Sequence, residues 1–195
     1  MKAGAGIKNK NGQRGFTLVE LLIVVVIIAI LAAITVVAYN GITARTANTV
    51  TLQGVAQYTK IFSMYAIDHG TYPAAASGYY PCLGSGWQGD CARTTQGSSG
   101  CNYAGVARVD TAFNAQIAQY AQTMPTIDNQ SVSCNGDVYT GAFVNNNTTN
   151  TGALSIIFFQ KGNVPCPATL GVAKLTSRLQ ADQTTDCRYD MPALN

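Results

Sequence analysis

Gly15-Phe16-Thr17-Leu18-Val19-Glu20-Leu21-Leu22-Ile23-Val24-Val25-Val26-Ile27-Ile28-Ala29-Ile30-Leu31-Ala32-Ala33-Ile34 opens an apolar run in which, from Phe16 to Ala38, Glu20 is the one ionisable side chain. As a helix rising about 1.5 Å per residue, that run reaches roughly 35 Å, enough to cross a hydrocarbon core of about 30 Å. Glu20 is the anomaly. An unpaired carboxylate near a bilayer centre costs about 2.5–3.5 kcal/mol or more, so an acid in such a span points to a function.

The octet Gly15-Phe16-Thr17-Leu18-Val19-Glu20-Leu21-Leu22 resembles the class III signal of type IV pilins and pseudopilins: a basic leader ending in Gly, then Phe, then Glu as the fifth residue after the Gly. The likeness is close over about the first fifty residues and general in layout beyond them. It implies that a prepilin peptidase cuts between Gly15 and Phe16, that the new Phe16 amine is N-methylated, and that Glu20 directs assembly. Many members of the family carry a Gly and then a Pro inside the apolar helix. The equivalent positions here are Ala29 and Val37, both compatible with a continuous helix.

Physical chemistry gives Glu20 a task that agrees with the resemblance. A freed α-amine has an unperturbed pKa near 7.7–8, and its N-methyl form stays cationic. In lipid, that amine on one copy and Glu20 on its neighbour are each a poorly solvated charge. Pairing offsets both desolvation costs and fixes an axial step between helices. The first helical turn, where Glu20 sits, also favours negative charge through the helix dipole.

The formal charge of +3 over 195 residues misleads. Of twelve basic residues, Lys2, Lys8, Lys10 and Arg14 lie in the leader, which holds no acid; the remainder sets eight bases against nine acids, about −1. The basic excess places the amino terminus on the cytoplasmic side and gives no support for a nucleic-acid-binding surface. The cut precedes the apolar run, unlike that of a secretory signal.

Cys82, Cys91, Cys101, Cys134, Cys166 and Cys187 all follow the apolar helix. An even number in an exported domain reads as up to three disulfides. Fifteen connectivities are open by count. The resemblance favours Cys166–Cys187, which clips the last segment to the body as pilins commonly do; Cys82–Cys91 and Cys101–Cys134 complete one trial set. There is no C-x-x-C pair and His69 is the single histidine, which argues against structural zinc.

Beyond Tyr39-Asn40-Gly41, apolar residues recur at Ile42, Ala47, Val50, Val55, Tyr58, Ile61/Phe62 and Tyr65, as on an amphipathic helix. Asp68-His69-Gly70 ends it, with Gly70 at C′ and Pro73 just after. A helix from Phe16 to about Asp68 spans roughly 80 Å. Gly70-Thr71-Tyr72-Pro73 resembles the G-x-Y-P that often follows this spine in pilins. Residues 74–102 are Gly-, Ser-, Ala- and Cys-rich and read as an irregular connection that partly covers Trp87. Asp110 is the expected cap of a helix from about Thr111 to Thr123. Val138–Val144 and Ala153–Lys161 read as strands around a polar Asn/Thr loop, with weaker strands at Leu170–Leu175 and Thr184–Tyr189 and a helical turn as the alternative for Ser177–Ala181.

The expected fold is therefore α+β: a long amino-terminal helical spine packed on an antiparallel sheet, with a short extra helix and disulfides. The expected division is residues 1–15 as a removed leader, 16–38 as the membrane and filament-core half of the helix, 39–69 as its amphipathic half, and 70–195 as a disulfide-bonded head.

No catalytic constellation is visible. A triad would have to run through His69 at a helix end, and no nucleophile is marked. Asp182, Asp186 and Asp190 do not have the spacing of an EF-hand loop. Asn129-Gln130-Ser131, Asn146-Asn147-Thr148 and Asn147-Thr148-Thr149 fit the glycosylation pattern but lie in turn-like sequence. No enzyme activity, cofactor or metal is expected. The reading is a structural subunit, a major pilin, of a type IV pilus. It waits in the cytoplasmic membrane as a single-pass precursor with its amino terminus inside, then enters an extracellular cell-surface filament. By resemblance its partners are the prepilin peptidase, an assembly platform with its ATPase, and further copies of itself as a helical homo-oligomer. The head's surface then decides between adhesion, twitching motility and DNA capture. Alternatives are a pseudopilin of a secretion system, a minor or competence pilin, and, from another class, a membrane-anchored extracytoplasmic enzyme.

Overall fold

The computed structural model describes residues 15–75, 80–85, 90–93, 106–128, 132–134, 137–139, 141–145, 154–168, 174–179 and 184–194. The expected Cys101–Cys134 bridge, Trp87, Asp182 and the three glycosylation-like triplets lie wholly or partly outside them. One helix, α1, runs Leu18–His69 without a break, Ala29 and Val37 included. The chain divides into two units, Met1–Gly41 and Ile42–Asn195.

In the first unit, α1 contains a stretch long and apolar enough to cross a membrane. Every described side chain from Phe16 to Tyr39 is exposed. A helix apolar on all sides and partnered by none of its own chain is stable in lipid or among other helices, not in water.

In the second unit α1 becomes one-sided. Ala47, Thr51, Val55, Tyr58, Ile61, Phe62 and Ala66 are buried, while Gln53, Gln57, Lys60 and Ser63 face out. Ile42, expected on the buried stripe, is 62% exposed; packing starts at Ala47. Gly70 ends the helix at φ 69°, its N–H donating to the Ala66 carbonyl at 2.9 Å, a left-handed stop that suits glycine.

The strands are β1 (Tyr80–Leu83), β2 (Asp90–Arg93), β3 (Val106–Arg108), β4 (Val132–Cys134), β5 (Asp137–Tyr139), β6 (Ala142–Asn145), β7 (Ser155–Gln160), β8 (Lys174–Leu179) and β9 (Thr185–Asp190). Among the described residues they form one sheet ordered β4-β5-β2-β3-β1-β6-β7-β9-β8, antiparallel throughout except for the β1–β3 pair. Between β3 and β4 lies α2 (Thr111–Ile117), followed by a 3-10 turn at Ala118–Tyr120. Asp110 caps it as expected, its carboxylate accepting the Phe113 N–H at 2.9 Å. The α-helix ends six residues short of Thr123.

β7 explains the most apolar run of the head. Its six residues, Ser-Ile-Ile-Phe-Phe-Gln, are all buried because both sheet faces are covered. Ile156 and Phe158 join Val55, Tyr58, Phe62, Phe113, Ile117 and Tyr189 in one cluster; Ile157 and Phe159 join Phe143, Ala107, Cys82 and Cys91 in another. Each fully buried Phe or Ile contributes about 1.5–3 kcal/mol relative to exposure.

Several expectations are corrected. The strand read over Val138–Val144 is two strands: Gly141, at φ 68°, turns the chain between them, so β5 pairs with β2 and β4 whereas β6 pairs with β1 and β7. The connection read as irregular over residues 74–102 contains β1 and β2. The helical turn considered for Ser177–Ala181 is strand through Leu179, because β8 follows β9 residue for residue from Lys174↔Asp190 to Leu179↔Thr185.

Two disulfides are present among the described cysteines, Cys82–Cys91 and Cys166–Cys187, with Cα–Cα separations of 5.9 and 5.8 Å. The first joins β1 to β2. The second ties the segment after β7 to buried Cys187 of β9.

Candidate functional site at the head of the apolar helix

Gly15, Phe16 and Thr17 precede α1 in a non-helical backbone, all exposed, with Phe16 at 85%. The bond between Gly15 and Phe16 thus lies outside helical hydrogen bonding. Thr17 caps the helix: its carbonyl accepts the Leu21 N–H at 3.3 Å. Its hydroxyl accepts the Glu20 N–H at 3.2 Å, and its own N–H reaches back to Glu20 Oε2 at 2.8 Å. The hydroxyl also donates to the same Oε2 at 2.9 Å. This is a capping box, Thr-x-x-Glu, in which two amino-terminal donors left over by the helix are satisfied reciprocally.

The arrangement does three things chemically. It places a carboxylate at the positive end of the helix dipole. It gives that carboxylate two hydrogen bonds within its own chain, so the cost of holding it in a poorly solvated setting falls. And each of these bonds begins at Thr17, one residue past Phe16, so breaking the Gly15–Phe16 bond leaves them in place. Thr17 is the site residue that the sequence reading missed; the T-x-x-E spacing ahead of an apolar run was the available signal.

The other candidates are not drawn into a site. His69 stacks on Tyr65, ring centroids 4.1 Å apart, with Nδ1 3.1 Å from the Tyr65 carbonyl and 3.3 Å from the Tyr120 hydroxyl. The Tyr120 hydroxyl donates to Asp68 Oδ2 at 2.8 Å. Asp190 accepts from Ser155 Oγ at 2.6 Å and from Arg188 Nε at 2.7 Å. Among the described residues no group of three His, Cys, Asp or Glu side chains could hold a metal ion.

Comparison with known proteins falls on the same segment. Residues 10–36 match the family described as the prokaryotic N-terminal methylation motif. The chain therefore carries a prokaryotic N-terminal methylation motif, placed across Gly15, Phe16 and Glu20. In particular, it is 45% identical over 58 residues to prepilin peptidase-dependent protein D of Escherichia coli (strain K12). That match takes in 30% of this chain and 40% of the relative's length. No solved structure matches.

Proposed function

We propose that the chain is a prepilin: a peptidase cuts between Gly15 and Phe16, Phe16 is N-methylated, and the product is a structural, non-enzymatic subunit of a type IV pilus, of the major kind. The observation that carries this is Glu20, held at the start of a helix whose apolar side chains are exposed on every side. Such a helix needs lipid before assembly and other helices after it. Residues 16–38 supply the membrane span and then the filament core, residues 39–69 the spine of the head, and residues 70–195 the head itself. Residues 1–15 are lost.

In the filament, the Phe16 amine of one copy meets Glu20 of its neighbour, and that pair sets the axial step. The partners are the prepilin peptidase, an assembly platform with its ATPase, and other copies of this chain. The precursor resides in the cytoplasmic membrane and the filament at the cell surface.

The test is the intact mass of subunits in sheared surface material. Loss of residues 1–15 plus one methyl group, in abundant filaments, is expected. A processed chain confined to membranes replaces this reading with a pseudopilin or a minor pilin, which share the same signal. An uncleaved chain overturns it.

A further inference from the structure

The two faces of β7 are buried for different reasons. Ile156 and Phe158 meet the spine, whereas Ile157 and Phe159 turn away from it and are still no more than 6% exposed. Opposite them on β9 stand Arg188 and Asp186, and Asp190 lies opposite Ser155; these three charged residues are partly exposed. The outward face of the sheet is therefore charged and wetted at β9 but apolar and buried at β6 and β7. Apolar side chains of that size stay out of water only under a cover.

Among the described residues that cover comes from β2 and β3. β1 changes partner midway: Tyr80 and Pro81 pair with β3, Cys82 and Leu83 with β6. Cys91 of β2 and Ala107 of β3 are buried in one cluster with Cys82, Phe143, Ile157 and Phe159. Their neighbours Asp90 and Arg108 are exposed and ion-paired at 3.2 Å. The grip of this cover is slight apart from its sulfurs. It reaches the cluster with two small side chains, so little apolar area holds it down. β3 pairs with β1 over two residues, and one of them, Pro81, has no N–H to give. The β2–β3 register shifts between Asp90 and Ala92, a bulge at Cys91 that weakens the ladder there. Against these short contacts stands one covalent tie, Cys82–Cys91, with the Cys91 N–H donating to Cys82 Sγ at 3.2 Å.

We infer that β2 and β3 form a strap latched by the Cys82–Cys91 bond, so that the thiol state of this pair decides whether the face of Phe143, Ile157 and Phe159 is covered. A dithiol that opens the latch passes two electrons and two protons to it. The S–S bond breaks, Cys82 and Cys91 become thiols, and the dithiol becomes a disulfide. The strap then lifts, while β6, β7 and β9 stay on the spine through Val144, Ile156, Phe158 and Tyr189. An apolar face of this kind associates when bare, and the oxidised pair keeps it shut. Nothing in this device depends on processing at Gly15 or on filament assembly.

The test is hydroxyl-radical footprinting of the full chain in detergent micelles, read by mass spectrometry at single phenylalanines. Cys82→Ala with Cys91→Ala should raise labelling of Phe143 and Phe159 several-fold over the unaltered chain and leave Phe62 and Phe158 protected. Cys166→Ala with Cys187→Ala, which keeps the latch, should show no such preference until dithiothreitol is added, and should then show it. Three results overturn the latch. Phe143 and Phe159 may stay protected in the first variant, so that the strap holds without its bond. All four rings may be labelled together there, so that no strap separates from the head. Or dithiothreitol may leave Phe143 and Phe159 in the second variant as protected as before.

Discussion

The side-chain amide of Asn48 is bonded to the main chain of Lys161 at both ends: Nδ2 donates to the Lys161 carbonyl at 3.0 Å, and Oδ1 accepts the Lys161 N–H at 2.8 Å. A side chain of the helix thus does for the chain after β7 what a neighbouring strand would do. It clamps the first buried turn of the spine, near Ala47 and Thr51, to the sheet. Asn48→Ala removes both part-buried bonds to the Lys161 main chain and should cost about 2 kcal/mol. Asn48→Asp should recover little of that, because it sets a second oxygen against the Lys161 carbonyl. Urea unfolding of the head, read by circular dichroism, checks both.

Gly54 and Thr126 set the distance between α1 and the segment before β4. Gly54→Ala improves helix propensity by about 1 kcal/mol but forces the Thr126 backbone aside. A net loss of about 2 kcal/mol is expected, against no loss in head stability for Gly41→Ala. The thermal midpoints of the two variants make the comparison.

Thr17 and Glu20 can be separated by substitution. Glu20→Gln keeps an oxygen for the Thr17 N–H but loses the charge; processing should remain and filaments should vanish or thin. Thr17→Val removes the hydroxyl cap and should loosen the first turn by about 1 kcal/mol while the carboxylate stays. Filament yield and exchange of amides 18–20 report the two effects. Normal filaments from Glu20→Gln would remove the charge pair from the mechanism.

Cys166–Cys187 closes a loop with a sequence separation of 21, Cys82–Cys91 one of 9. In the chain-entropy treatment each contributes about 3 kcal/mol, slightly more for the longer loop. Cys166→Ser with Cys187→Ser should therefore lower the urea midpoint of the head more than Cys82→Ser with Cys91→Ser.

Alkaline pH should loosen the head. Burial pushes the Tyr58 phenol up to about 12, against a lesser downward pull from the Gly84 N–H, and burial pushes Tyr189 up to about 12 as well. An unfolded tyrosine ionises near pH 10. Above that pH the unfolded chain sheds protons that the folded chain retains, so the stability present below pH 10 is lost as pH rises towards 12. Tyr58→Phe should flatten this slope, as seen by unfolding at pH 9 and pH 11.

The amino-terminal site was legible in the sequence because its parts are local. Gly15, Phe16 and Glu20 fall within six residues, and a helix start depends on neighbours three or four positions away; the Thr17 cap is equally local but went unread. The same locality made the Asp110 cap, the Gly70 stop and the buried run of β7 readable. The strand divisions were not. β1 to β5 are three or four residues long, too short for a period to register, and apart from the β4–β5 pair their partners lie elsewhere in the chain. Val138 and Val144 look like one strand until Gly141 takes its positive φ. Asn48 meets Lys161 across 113 residues, and Gly54 meets Thr126 across the core. The sequence by itself determined that a long apolar helix begins with a lone acid in its first turn, since that is decided within one turn. Only the tertiary structure decided which strands lie together and how the helix is held on the sheet, since those contacts exist only once distant segments are packed.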